Sequence, residues 1–303
     1  MMKNITEEIE RLKKEKNAVI LAHYYACDEV QGIADYVGDS FYLAKIAKKS
    51  DADVIVFCGV SFMGESAKIL NPEKTVLMPD MTADCAMAHM ASAEKIDEMR
   101  RRYEDLAVVC YINSTAKLKC CSDVCVTSSN AVKIVKALPN KNIYFIPDQN
   151  LGSFVAEQVP EKNIILNDGY CPIHMSITAE QVRQEKKLHP KALVLSHPEC
   201  KKEVLAVSDY IGSTAEIIDY VRESKYKEFI VCTECGVAYE LKKENPDKEF
   251  FFGRKCPSCL DMKLNTLENV LKVLQTGENE VHVSEEIIKE ALVPLERMLE
   301  LAQ

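Results

Sequence analysis

An α/β molecule of three homologous three-layer αβα units with parallel sheets is the fold class the sequence predicts. Three observations point to it: a cysteine-to-helix spacing that occurs three times, short apolar strands alternating with helical patterns in one repeated order, and polar residues gathered at strand ends. Seven residues after Cys171 comes Thr178-Ala179-Glu180-Gln181-Val182, where the Thr hydroxyl can cap free N–H groups and the early Glu suits the helix dipole. Cys85 leads at the same step to Ser92-Ala93-Glu94-Lys95-Ile96, and Cys259 to Thr266-Leu267-Glu268-Asn269-Val270. The three cysteines are 86 and 88 residues apart, as are the three capping residues, which marks an internal triplication.

Taken in order, the chain opens with a charged amphipathic helix over residues 1–18, with Ile5, Ile9 and Leu12 on one face. The first unit, residues 1–104, then places a strand over 19–22 before His23-Tyr24-Tyr25, a helix start near Asp39-Ser40, a strand over 54–57, and a strand over 75–78 leading to Cys85. In the second unit, 105–190, a strand over 108–110 ends at Tyr111-Ile112-Asn113. A helix start near Ser128-Ser129-Asn130 and strands over 143–146 and 164–166 follow, the last leading to Cys171. The third unit, 191–303, repeats the order: a strand over 193–195 before Ser196-His197-Pro198-Glu199, a helix start near Gly212-Ser213-Thr214, and strands over 229–231 and 250–252 leading to Cys259. An amphipathic helix over 284–303, with Ile288, Leu292, Leu295 and Leu299, closes the chain.

Uninterrupted apolar strands between helical patterns indicate parallel sheets covered on both faces. Ligands of such sheets bind beyond the carboxyl ends of the strands, and side chains two apart on a strand share a face. His23 with Tyr25, Tyr111 with Asn113, and His197 with Glu199 are thus three pairs aimed alike. Three units in a pseudo-threefold triangular arrangement would turn these pairs and the three cysteines toward one central active site.

Composition narrows the function classes. A chain of 303 residues with 47% hydrophobic and 28% charged residues can bury several cores. The N-terminal helix lacks the long apolar run of a signal peptide or a membrane span, so a cytoplasmic protein without a membrane partner is expected. Thirteen Cys in such a setting read as reduced thiols or metal ligands rather than disulfides. A net charge of −9 offers no basic face to a phosphate backbone, which argues against nucleic acid as a partner.

One Cys per unit suits a metal centre with a position left open, as in an iron–sulfur cubane held by three Cys whose fourth iron acts as a Lewis acid. A single buried Cys is more often an apolar filler, but the matched spacing favours ligands. Locally, Cys232-x-x-Cys235 and Cys256-x-x-Cys259 also approach a zinc-ribbon spacing, which would make the chain a zinc-ribbon binding protein; that pattern does not account for Cys85 or Cys171. Cys120, Cys121 and Cys125 have no counterparts in the other units and read as core thiols.

The motifs Ala22-His23-Tyr24-Tyr25, Gly38-Asp39-Ser40, Tyr111-Ile112-Asn113-Ser114, Ser122-Asp123-x-Cys125-x-Thr127-Ser128-Ser129-Asn130, Pro147-Asp148-x-Asn150-Leu151-Gly152, Ser196-His197-Pro198-Glu199-Cys200, Gly212-Ser213-Thr214 and Met262-Lys263-Leu264-Asn265-Thr266-Leu267 cover nearly the whole chain. In these the sequence resembles the quinolinate synthetase A family, the iron–sulfur quinolinate synthases of NAD biosynthesis. The resemblance implies three homologous α/β domains in a triangle and a [4Fe-4S] cluster held by one Cys from each. It implies a transferase that condenses iminoaspartate with dihydroxyacetone phosphate to quinolinate, phosphate and two waters, the imine being supplied by an aspartate-oxidising enzyme. The family often carries Cys-x-x-Cys-x-x-Cys at the third ligand, where this chain has only Cys256-Pro257-Ser258-Cys259 followed by Leu260-Asp261-Met262. Cys259 alone keeps the seven-residue step to the helix cap and is the expected ligand beside Cys85 and Cys171, with Cys256 the alternative.

Such a reaction needs an anion site and proton transfer. No glycine-rich phosphate loop is present; instead Ser40, Ser128 with Ser129, and Ser213 with Thr214 mark helix starts, whose free N–H groups bind anions. By resemblance Ser40 and Ser128 hold the triose phosphate or a product carboxylate, and Thr214 another carboxylate. Glu199, Tyr25 and His197 are the candidates for proton transfer, with His23, Tyr111 and Asn113 orienting the substrate and His174 beside Cys171 facing cluster or substrate. An iron–sulfur hydroxy-acid dehydratase shares the three-Cys centre and is the alternative enzyme.

Overall fold

The structure, a computed structural model, describes residues 2–303. Its strands are β1 (Ala18–His23), β2 (Tyr36–Gly38), β3 (Val54–Cys58), β4 (Thr75–Leu77), β5 (Leu106–Tyr111), β6 (Val124–Val126), β7 (Asn142–Ile146), β8 (Asn163–Leu166), β9 (Leu193–Ser196), β10 (Tyr210–Ile211), β11 (Glu228–Cys232) and β12 (Glu249–Phe251). They form three parallel four-stranded sheets of identical topology, β2-β1-β3-β4, β6-β5-β7-β8 and β10-β9-β11-β12. The triplication in the sequence is therefore a triplication of fold.

Each sheet has an edge strand that the sequence did not suggest: β2, β6 and β10, of three residues or two. All three are fixed by the same pair of bonds. Asp35 gives its N–H to the Ile20 carbonyl and takes the Ile20 N–H on its carboxylate at 2.8 Å. Asp123 repeats this with Val108, its carboxylate bond being 2.6 Å, and Asp209 with Val194 at 2.8 Å. Each carboxylate satisfies the one N–H that the short neighbour cannot reach.

Alternate residues of a strand face opposite layers. In the first unit Val19, Leu21, Ile55 and Phe57 pack with Leu43 and Ala44 of helix Ser40–Lys49, while Ile20, Ala22, Val56 and Cys58 pack with Ile9 and Leu12 of helix Met2–Glu15. The third unit divides likewise, Val194 and Ile230 on one face, Leu195, Phe229 and Val231 on the other. This is the three-layer architecture expected.

The helices after the cysteines begin where the sequence put them. Ser92, Thr178 and Thr266 each accept the N–H three residues on, opening helices Ala93–Arg102, Ala179–Leu188 and Leu267–Thr276. Each of these helices covers the following sheet rather than its own. The first packs on β5 and sends Arg100 to Asp123 at 3.0 Å. The second buries Ala179 and Val182 against Val194 and Ile230, and the third buries Leu267, Val270 and Leu274 in the core of the first unit. The final helix, Glu285–Leu301, capped by Ser284, lies against β6 and helices Ala116–Cys120 and Ser61–Leu70. Among the described residues no helix is long and apolar enough to cross a membrane.

Candidate active site

One cavity of about 80 Å³ is lined by all the candidate catalytic, substrate and cluster residues, namely Tyr25, His23, Ser40, Cys85, Tyr111, Asn113, Ser128, Cys171, His174, His197, Glu199, Thr214 and Cys259, but not by Ser129, Ser213 or Cys256. The sheets explain this. β1 ends at His23, β5 at Tyr111 and β9 one residue before His197, so the carboxyl ends of three central strands deliver the three expected pairs. The first and third units even share a turn, in which the Tyr25 N–H donates to His23 Nδ1 at 3.2 Å and the Glu199 N–H to His197 Nδ1 at 3.3 Å.

Glu199 lies at the centre of a buried polar network. Its Oε2 is 2.7 Å from His174 Nδ1 and 3.5 Å from His197 Nδ1, and the two imidazoles stack at 4.6 Å. His174 Nε2 meets the Thr233 hydroxyl at 2.9 Å, and Thr233 meets the Tyr25 hydroxyl at 2.8 Å. Tyr25 also bonds Thr214 at 2.7 Å. Burial opposes ionisation of Glu199, but its close pairing and hydrogen bond with His174 outweigh burial and hold the carboxyl below the usual carboxylate range. Burial takes His197 and His23 down to about 3, so both imidazoles are neutral near pH 7. Glu199 Oε1 and Asn113 Oδ1 are buried without a protein partner, as befits groups that meet a ligand.

The three helix starts are not the equivalent caps expected. Asp39, not Ser40, caps helix Ser40–Lys49 by accepting the Tyr42 N–H at 2.8 Å; Asn130 precedes helix Ala131–Ala137 without a side-chain cap; and Ser213 caps helix Thr214–Glu223 in a capping box with Glu216. Two of the three starts thus hold their own carboxylate, which takes up part of the positive field an anion would use. The cavity lining contains no Lys or Arg among the described residues, so an anion would rely on hydroxyl, amide and imidazole donors.

Burial pushes all three candidate ligand thiols up, Cys85 to about 12, so they stay protonated until a cation displaces the proton. Among the described residues they do not form a set whose ligand atoms all lie within 4.8 Å of one another; Cys171, His174 and Glu199 do. That set is a proton network by its spacing, since His174 Nδ1 stands 3.2 Å from Cys171 Sγ and 2.7 Å from Glu199. One thiol from each unit lining the same cavity is a donor set whose chemistry suits an iron–sulfur centre. Of the zinc-ribbon alternative, Cys232 is buried at the end of β11, and no three of Cys232, Cys235, Cys256 and Cys259 make a ligand set among the described residues.

Residues 7–300 match the family model described as quinolinate synthetase A protein (NadA). The chain belongs to the quinolinate synthetase A family. It is 52% identical over 301 residues to a quinolinate synthase of Caldicellulosiruptor saccharolyticus, covering 99% of both chains, and 55% identical over 296 residues to one of Fusobacterium nucleatum, covering 98% and 99%. A quinolinate synthase of Clostridioides difficile is 53% identical over the full length of both chains.

Beside the family motifs the cavity uses residues the sequence reading missed. Thr233, behind the lining, joins Tyr25 to His174, and Glu234, in the lining, accepts the Cys259 N–H at 3.0 Å. Both lie inside Cys232-x-x-Cys235, where the zinc pattern drew attention to the cysteines. A signal existed: Glu234 stands 86 residues after Asp148, which takes the Cys171 N–H at 3.1 Å.

Proposed function

We propose that this chain is a quinolinate synthase of NAD biosynthesis, condensing iminoaspartate with dihydroxyacetone phosphate to quinolinate, phosphate and two waters. The observation that carries the reading is the convergence of one half-buried thiol from each unit with the Glu199–His174–Thr233–Tyr25 network on one cavity. Cys85, Cys171 and Cys259 would hold a [4Fe-4S] cluster, whose unprotected iron supplies a Lewis acid for a carboxylate or hydroxyl.

The protein groups do the rest. Ser40, Ser128 and Asn113 Oδ1 bind and orient the substrates through neutral contacts, and His23 with Tyr111 walls the reacting atoms. Glu199 moves the proton at the carbon attacked during condensation, using His174 as the orienting and relaying base. Thr233 lets the proton pass on to or from the Tyr25 hydroxyl without a free water. His197, neutral and stacked on His174, keeps that imidazole facing Glu199. The imine reaches the site from an aspartate-oxidising reaction.

Mixing the two substrates with protein purified without air should yield quinolinate, with about four irons and four sulfides per chain. Activity should fall on exposure to air as the iron is lost. No quinolinate from cluster-loaded protein overturns the assignment. Dehydration of a hydroxy acid in its place would point to the alternative enzyme.

A further inference from the structure

Two of the candidate cysteines have their peptide N–H groups claimed by buried carboxylates. Asp148, fully buried at the start of helix Gln149–Gln158, accepts the Leu151 N–H on Oδ1 at 2.7 Å and the Cys171 N–H on Oδ2 at 3.1 Å. Glu234, 1% exposed, does the same in the third unit: Oε2 accepts the Gly236 N–H at 2.6 Å and Oε1 the Cys259 N–H at 3.0 Å. Each carboxylate spans from its own turn, just past β7 or β11, to the turn that bears the cysteine.

Glu234 reaches further. Lys263 Nζ stands 3.2 Å from Glu234 Oε1 and donates to the Tyr25 carbonyl at 2.7 Å. Gln31 reinforces the same contact, its amide donating to the carbonyls of Tyr24, Ala26 and Gly236. A Cβ on Gly236 would stand 2.8 Å from Glu234 Oε2, Lys263 Nζ and Tyr25 Cα, so glycine is what lets the three approach. The turn holding Cys259 and the turn holding Tyr25 are thereby joined through one carboxylate and one ammonium.

We infer that Asp148 and Glu234 are positioning residues for the cluster. They fix the backbone of Cys171 and Cys259, so that the sulfurs already face the cavity when metal arrives, and Glu234 with Lys263 sets Cys259 relative to Tyr25. The inference rests on the cluster reading given above. Groups that orient metal ligands through hydrogen bonds typically matter by about 10–100-fold in metal affinity. An amide in place of either carboxylate has one acceptor oxygen for two N–H donors and turns an NH2 toward the other.

The test uses Glu234→Gln and Asp148→Asn, purified without air and loaded with iron and sulfide. Glu185→Gln, a buried carboxylate on helix Ala179–Leu188, is the control. Iron release to excess chelator, the electron paramagnetic resonance spectrum of the reduced cluster, and thermal unfolding are measured on each. Both variants are expected to unfold near the wild-type temperature yet release iron at least about tenfold faster. Glu234→Gln should also alter the spectrum, while Glu185→Gln behaves as wild type. Wild-type release and an unchanged spectrum in both variants would overturn the inference. Wild-type protein that takes up no cluster overturns the reading beneath it instead. Either variant suffices alone if the other does not fold.

Discussion

Full burial is hostile to a carboxylate, yet Glu199 is held ionised, because its pairing with His174 at 2.7 Å offsets the lost solvation. Glu199→Gln keeps the shape and removes the charge that orients His174. Quinolinate formation should fall by at least about 100-fold while iron content stays that of wild type; retained turnover would remove Glu199 from proton transfer. His23 and His197 make a second prediction. Their folded pKa values near 3 lie below the value of 6.5 for an exposed imidazole, so the unfolded chain binds these protons first. The stability they confer is complete above pH 6.5 and drains away as pH falls from there toward 3. Between pH 7 and pH 5 each should cost about 2 kcal/mol, readable from denaturant midpoints of the metal-free chain. The site pairs were legible because a strand end and a two-residue step fix where His23, Tyr25, His197 and Glu199 point. Thr233 was not, because its partners Tyr25 and His174 lie on other turns, and Glu234 left only its 86-residue step from Asp148, a trace that does not name its partner Cys259.

The long apolar strands and the helices after the cysteines could be read directly, since a capping hydroxyl and an uninterrupted Val/Ile run are local signals. The edge strands β2, β6 and β10 could not, since two or three residues show no period. What defines them is a tertiary bond, the aspartate carboxylate on the neighbouring strand's N–H. Asp209→Ala strips the buried Val194 N–H of its acceptor and should destabilise the protein by about 1–3 kcal/mol, against much less for Asp209→Asn, which keeps an oxygen there. Urea unfolding of the two variants side by side checks this. The helix starts show the opposite lesson: their positions near 40, 130 and 213 were legible, but which residue caps depends on φ and ψ at the boundary, so Asp39 rather than Ser40 took the role.

Across the whole molecule, cohesion comes from helices placed away from their own segment. Helix Glu285–Leu301 buries Ala291, Leu295 and Met298 completely, against residues of the first and second units. Leu295→Ala should therefore cost about 2–5 kcal/mol, and calorimetry should show one transition moved to lower temperature rather than a separate early event. The handing on of each helix after a cysteine to the next sheet has its own outcome. No segment owns a finished roof, so a piece cut at any of the repeat junctions would be left with one sheet face bare and a spare amphipathic rod. Assembly should then be all or nothing, since the cavity lined by residues of all three units exists only when each helix has found its neighbour.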